Sequence, residues 1–165
     1  MTSMLLLVTA TLAAAAIDIK SRRIPNLLTG ALAFAGIAFH VPQGVVATLL
    51  AIAAMLIVFL IGSFAFSAGW FGGGDVKLIA ACCGLVGFPG SVALVLEILV
   101  AGAFLSLVTA ALRRQIFDLV RSTIDIMRFG AKSHQAGSLP YGVAIAAGSF
   151  TYALSTLIPA LRLSL

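Results

Sequence analysis

Charged residues are scarce in this 165-residue chain, because only 9% of the sequence is charged while 62% is hydrophobic. Soluble domains are about 25% charged and about 45–50% apolar, so a soluble fold of this length could not bury so much apolar surface. The same composition excludes a disordered chain. The sequence is therefore predicted to fold in a lipid bilayer, as one integral membrane domain covering residues 1–165.

Cysteine is also scarce, and the two cysteines, Cys82 and Cys83, are adjacent. Neighbouring side chains on a helix point in different directions, so this pair suits neither a disulfide nor a metal clamp. The sequence contains no Cys-x-x-Cys pair, phosphate-binding loop, dinucleotide fingerprint or Ser/His/Asp set. No metal and no cofactor is predicted. No aromatic-rich basic patch is present either, which argues against nucleic acid as a partner.

Long uncharged runs make up most of the remaining sequence. A membrane-spanning helix needs roughly 20 apolar residues, so the longest runs must fold back on themselves. The turn segments Pro42-Gln43-Gly44 and Phe88-Pro89-Gly90 mark where they do so. An all-α, polytopic membrane protein with about six transmembrane helices is predicted. The predicted helices cover about residues 2–18, 26–41, 45–67, 75–88, 91–112 and 138–160.

The first apolar segment resembles a signal peptide, because it ends in four alanines. A signal peptide carries its positive charge before the apolar stretch, whereas the first cation here, Lys20, follows it. With both termini outside, nine of the ten basic residues lie in inner segments and only Arg162 lies outside. This positive-inside bias explains the net charge of +5 without nucleic acid. The bias predicts that Asp18 and Asp75 face the cytoplasm.

The longest predicted inner loop, residues 113–137, alternates acids and bases at helical spacing. Asp118 and Asp125 recur with basic residues at steps of three and four, and apolar residues lie mostly on the other side. Opposite charges at this spacing stabilise one face of a helix. The loop is therefore predicted to form an amphipathic helix on the cytoplasmic membrane surface, with both aspartates structural.

Glu97 is the only charged residue between Leu78 and Leu112 and lies inside a predicted span. Ionisable groups within spans are costly and are functional hypotheses by default. The structural alternative is a protonated or hydrogen-bonded side chain that faces the helix bundle. Both interpretations of Glu97 stay open at this point.

Asp18 and Asp75 are predicted to lie at one membrane face, because the first helix descends to it and the fourth rises from it. Asp75 directly follows Gly72-Gly73-Gly74, a run that permits a tight turn and close backbone approach. Two neighbouring carboxyls cannot both ionise easily. One can therefore activate water while the other polarises a peptide carbonyl. The structural alternative for Asp75 is a helix N-cap.

Around these aspartates the sequence resembles the type IV prepilin peptidases, polytopic aspartic proteases of the Gly-x-Gly-Asp type. The similarity lies in Asp18 followed by Arg23-Ile24-Pro25-Asn26, and in Gly72-Gly73-Gly74-Asp75-Val76-Lys77-Leu78. The segment Leu139-Pro140-Tyr141-Gly142-Val143-Ala144 resembles the one that opens the family's last helix.

The resemblance implies that Asp18 and Asp75 are the catalytic pair of a membrane-embedded endopeptidase. Its substrates would be type IV prepilins or pseudopilins, which lose a basic N-terminal leader at the cytoplasmic face of the bacterial inner membrane. Gly72, Gly73, Gly74 and Lys77 would support the active-site loop. Candidates for structural or substrate-contacting roles are Arg23, Pro25, Asn26, Glu97, Pro140, Tyr141 and Gly142.

The longer bacterial members of this family carry a cytoplasmic insertion with two Cys-x-x-Cys pairs, and they also N-methylate the new terminus. This chain has neither pair and resembles the short class that serves Flp (tight-adherence) pili. The resemblance implies a peptidase without methyltransferase activity, with archaeal preflagellin peptidases as a close alternative. A non-enzymatic transporter or assembly subunit is the competing interpretation. Transporters place key polar groups near the bilayer midplane, which fits only Glu97.

Overall fold

The computed structural model describes residues 1–112 and 141–157. These residues form α-helices and one short 3-10 turn, with no β-strand among them. The predicted all-α class is confirmed. The predicted surface helix in residues 113–137, and Pro140, lie outside the described residues. The helices are α1 (Thr2–Ser21), α2 (Asn26–His40), α3 (Val45–Ser67), α4 (Gly73–Val86), α5 (Gly90–Leu112) and α6 (Tyr141–Leu157).

In the part of the chain that the structure describes, three helices are long and apolar enough to cross a membrane, namely Thr2–Ser21, Val45–Ser67 and Gly90–Thr109. Only 28%, 11% and 17% of these segments are buried by the rest of the protein, so most of their apolar surface faces outward, as a lipid solvent requires. The helices α2, α4 and α6 have 15, 14 and 17 residues. The described helices therefore fit a membrane protein, but the prediction of about six spans is not confirmed.

The helix α4 lies at the centre of the bundle. Its small residues let neighbouring helices approach closely, and it packs mainly against α2 and α3 while also touching α1, α5 and α6. The helix α6 packs mainly against α1 and α5. As a result, α4 connects the group α2–α3 with the group α1–α5–α6. The buried residues of α4 are Val76, Leu78, Ile79, Ala80, Ala81, Cys82, Cys83, Gly84 and Leu85.

Helix ends differ from the predicted ones next to both aspartates. The helix α1 continues beyond residue 18 until Arg22, whose left-handed backbone (φ 51°) closes it with an N–H donated to the Asp18 carbonyl. The helix α4 begins at Gly73, two residues before the predicted start, and ends at Val86, with Gly87 as its C-cap. Asp18 therefore lies in the last turn of α1, and Asp75 lies in the first turn of α4.

Candidate functional site

Asp18 is buried and contacts the first turn of α6. Its Oδ2 accepts a hydrogen bond from the backbone N–H of Gly142 at 3.0 Å. A Cβ atom on Gly142 would lie 3.0 Å from both Cβ and Oδ2 of Asp18. Glycine therefore allows the close approach of the two helices, and the positive end of the α6 dipole faces a carboxyl group.

Asp75 occupies the third position of α4, and Gly72 is the N-cap. Asp75 is therefore not the N-cap of α4, and the structural alternative offered by the sequence is wrong. Its carboxyl instead turns back and makes a hydrogen bond with the Gly72 backbone, as the third residue of a capping box does. A Cβ atom on Gly72 would lie 2.6 Å from Asp75 Oδ2, so a larger residue here would displace the Asp75 carboxyl.

The carboxyls of Asp18 and Asp75 interact electrostatically. Burial, followed by the negative charge of Asp18, raises the pKa of Asp75 to about 6, against the opposing effect of the Gly72 hydrogen bond. Asp75 lies outside the three candidate membrane spans. A carboxyl with this pKa exchanges its proton near neutral pH, a property common at functional sites. The structure thus brings together the two aspartates that the sequence singled out.

The glycine run before α4 packs against the segment that follows Asp18. A Cβ atom on Gly74 would lie 3.3 Å from Cβ of the buried Ile24, and one on Gly73 would lie 3.4 Å from the ring of Phe66. Ile24 belongs to the segment Arg23-Ile24-Pro25-Asn26. The two sequence segments that resemble family motifs therefore meet at Gly74.

Lys77 and Asn26 form a second contact between these segments. Lys77 Nζ donates a hydrogen bond to Asn26 Oδ1 at 2.9 Å in an exposed position. The Lys77 side chain of α4 thus binds the first residue of α2 and connects the two helices. Arg23 and Pro25, which precede Asn26, are both exposed.

Tyr141 contacts the loop that leads to Asp75. Its ring packs edge-on against Phe71 with the centroids 5.1 Å apart. Burial, followed by the charge of Asp75, raises the pKa of Tyr141 to about 12. Its hydroxyl lies over Gly102 of α5, where a Cβ atom would come within 2.5 Å of it. Phe71 was not among the predicted site residues, although its position directly before Gly72 could have indicated it.

Glu97 takes part in the packing of α5 against α6. It is half-buried, and its Oε1 accepts a hydrogen bond from Ser155 Oγ at 3.2 Å. Ser155 lies about 20 Å along α6 from Gly142, by the helical rise per residue. The structure therefore places Glu97 away from the two aspartates, and the Ser155 contact favours its structural interpretation.

Fold and site together define a class, namely a helical membrane protein with two interacting carboxyls from different helices at one end of its bundle. Within residues 1–112 and 141–157, no cluster of three His, Cys, Asp or Glu residues is placed to hold a metal ion. The sequence profile of the type IV leader peptidase family matches residues 5–107, which include both aspartates. The chain belongs to this family, which implies a peptidase. No curated protein and no solved structure matches the chain.

The raised pKa of Asp75 predicts that the protein loses stability as pH rises. The pKa is about 6 in the folded protein against an ordinary value of 3.8, so between these values the folded state binds more protons than the unfolded state. The free energy of unfolding therefore falls as pH rises from about 4 to about 6, and this loss persists above that range. The loss amounts to at most roughly 3 kcal/mol.

We expect Asp75→Asn to remove this loss, because an amide does not ionise. The variant should unfold at a higher temperature than the wild type in detergent at pH 7.5, and the two midpoints should converge near pH 4. Thermal unfolding followed by circular dichroism measures both. A difference between the midpoints that does not change with pH would contradict the assigned cause.

Proposed function

We propose that this protein is an aspartic endopeptidase that removes the N-terminal leader from type IV prepilins or pseudopilins. The observation that carries this proposal is the pair of interacting carboxyls in a member of the leader peptidase family. Asp18 and Asp75 come from different helices and meet at one end of the bundle. Such a pair supplies both a general base and a general acid.

In the proposed reaction the pair begins with one shared proton. The ionised carboxyl takes a proton from water, and the resulting hydroxide attacks the carbonyl carbon of the scissile bond. The protonated carboxyl gives its proton to the carbonyl oxygen, which forms a gem-diol. When the gem-diol collapses, the first carboxyl donates its proton to the leaving nitrogen and the second recovers one from the diol. One peptide bond is hydrolysed and the pair returns to its starting state.

We place this site at the cytoplasmic face of the bacterial inner membrane. Exposed basic residues follow both aspartates, namely Lys20, Arg22 and Arg23 after Asp18, and Lys77 after Asp75, as the positive-inside rule predicts. In a multi-pass arrangement of about six helices with both termini outside, the end of α1 and the start of α4 share that face. The substrate's apolar helix would lie in the bilayer beside the bundle, with its basic leader in the cytoplasm.

We further propose that the chain is a single peptidase domain of the short class that processes Flp-type prepilins, without methyltransferase activity. The absence of Cys-x-x-Cys pairs from the sequence supports this assignment. The non-enzymatic alternative depends on Glu97 as the functional intramembrane acid. The hydrogen bond from Ser155 supports a packing role for Glu97 instead.

The test is to coexpress an Flp-type prepilin with the wild-type protein or with the double variant Asp18→Asn/Asp75→Asn, and to measure the mass of the pilin. With the wild type, we expect a product that lacks its leader and carries no added methyl group. The double variant should leave the prepilin at full length. A full-length prepilin beside accumulated wild-type protein would overturn the assigned substrate, and an N-methylated product would overturn the short-class assignment.

A further inference from the structure

The first turn of α6 contacts both parts of the candidate site, although the family match ends at residue 107. Gly142 donates its backbone N–H to Asp18. The preceding residue, Tyr141, packs its ring on Phe71, which directly precedes the Gly72 that holds Asp75. Tyr141 and Gly142, which are consecutive in α6, therefore connect Asp18 of α1 with Phe71, the residue before the N-cap of α4.

Both contacts are sterically specific. A Cβ atom on Gly142 would lie 3.0 Å from both Cβ and Oδ2 of Asp18, so a larger residue here would push the Asp18 carboxyl away from the backbone N–H. The Tyr141 ring is fixed on its other side as well, because its hydroxyl packs over Gly102 of α5. The first turn of α6 thus contacts α5 at Gly102, α1 at Asp18 and the residue Phe71 that precedes α4.

We propose that Tyr141 and Gly142 are positioning residues of the peptidase. The Gly142 N–H orients Asp18, and the Tyr141 ring orients Phe71 and with it the start of α4 that carries Asp75. This inference rests on the proposed function and adds a third segment to its active site. Positioning matters because displacement of a reacting group by about 1 Å can reduce the rate about 100-fold. Neither residue needs to touch the substrate for this role.

The Gly142 hydrogen bond also predicts a pH signature. A backbone N–H that donates to a carboxylate favours the ionised form. Weakening the bond therefore makes the singly ionised pair harder to form, and the acid limb of the pH–rate profile moves to higher pH. Within residues 1–112 and 141–157, Asp75 from α4 interacts with Asp18, and Tyr141 from α6 interacts with Asp75. Three exposed basic residues, Lys20, Arg22 and Arg23, follow Asp18 in the sequence.

The experiment measures prepilin cleavage by purified protein in detergent as a function of pH. For Gly142→Ala we expect kcat to fall at least about tenfold with little change in KM. We also expect the acid limb to move to higher pH. The matched control is Gly30→Ala, because a Cβ atom at Gly30 meets nothing within 4 Å. Its rate and pH profile should equal those of the wild type.

Two variants of Tyr141 test the second contact. Tyr141→Phe keeps the ring against Phe71, so its cleavage rate should stay within about twofold of the wild-type rate. Tyr141→Ala removes the ring, so its cleavage rate should fall about tenfold. If the rate of Tyr141→Phe falls as far as that of Tyr141→Ala, the role belongs to the hydroxyl, and positioning through the contact of the ring with Phe71 is overturned. These variants also test the inference if Gly142→Ala fails to accumulate.

The outcomes separate this inference from the function on which it rests. If the wild type does not cleave the prepilin, the proposed function fails. If the wild type cleaves and Gly142→Ala cleaves at the same rate with an unmoved acid limb, the proposed function stands and the positioning role of Gly142 is overturned.

Discussion

Prepilin cleavage is expected to fall at least about 1000-fold when either Asp18 or Asp75 alone is replaced by asparagine. One carboxyl must accept a proton from water while the other donates one to the carbonyl oxygen, and an amide does neither at neutral pH. The measurement is single-turnover cleavage of a prepilin by each purified variant. Because neither carboxyl can replace the other, both single variants should be as inactive as the double variant.

Loss of activity in these variants must be separated from loss of folding. The amide introduced by Asp75→Asn would still place an oxygen and a nitrogen beside Gly72, and this variant is expected to be more stable than the wild type at pH 7.5. Glu97→Gln is the control for a partly buried acid outside the site, since glutamine can still accept the hydrogen bond from Ser155. We expect this control to retain cleavage. Normal processing by either single asparagine variant would remove the basis for the carboxyl pair.

A methyl group added at Gly36 is expected to destabilise the bundle by about 2 kcal/mol or more. The helix α2 lies directly on the backbone of α4 here, and a Cβ atom on Gly36 would lie 2.7 Å from the Leu85 backbone N. Backbone atoms of the central helix cannot move aside as a flexible side chain can. The strain should exceed the roughly 1 kcal/mol that alanine gains over glycine in a helix.

Gly30→Ala, six residues earlier on the same helix, is the matched control for this prediction. The substitution is chemically identical, but the position is open, so this variant should be as stable as the wild type or slightly more stable. Thermal unfolding in detergent compares the two variants directly. Equal midpoints for Gly36→Ala and Gly30→Ala would show that α2 and α4 are not packed as closely as described.

Helix positions were predictable because turn residues interrupt the apolar runs. Pro42 and Gly44 separate α2 from α3, and both predicted boundaries agree with the structure to within one residue. The ends next to the aspartates were less accurate for physical reasons. Basic residues after Asp18 suggested a helix end, but the helix continues until the backbone of Arg22 turns left-handed. The glycines before Asp75 suggested a loop, but Gly73 and Gly74 form the first turn of α4.

The contacts that build the site were not predictable from the sequence in the same way. Gly142 and Asp18 are 124 residues apart, and local periodicity carries no information about which helix faces meet. The resemblance of the segment around Tyr141 to a family motif marked it as relevant but gave no role. The packing of Glu97 with Ser155 was likewise open, because composition alone does not distinguish a supporting acid from a functional one.

The hydrogen bond between Gly142 and Asp18 also has a consequence for biosynthesis. The ribosome synthesises both aspartates well before it reaches α6, so the nascent chain carries its two acids before their geometry is fixed. On the proposed mechanism, full hydrolytic activity requires that α6 has docked on α1, because its Gly142 orients Asp18. A chain that stalls before this step would hold both aspartates without the hydrogen bond that orients Asp18.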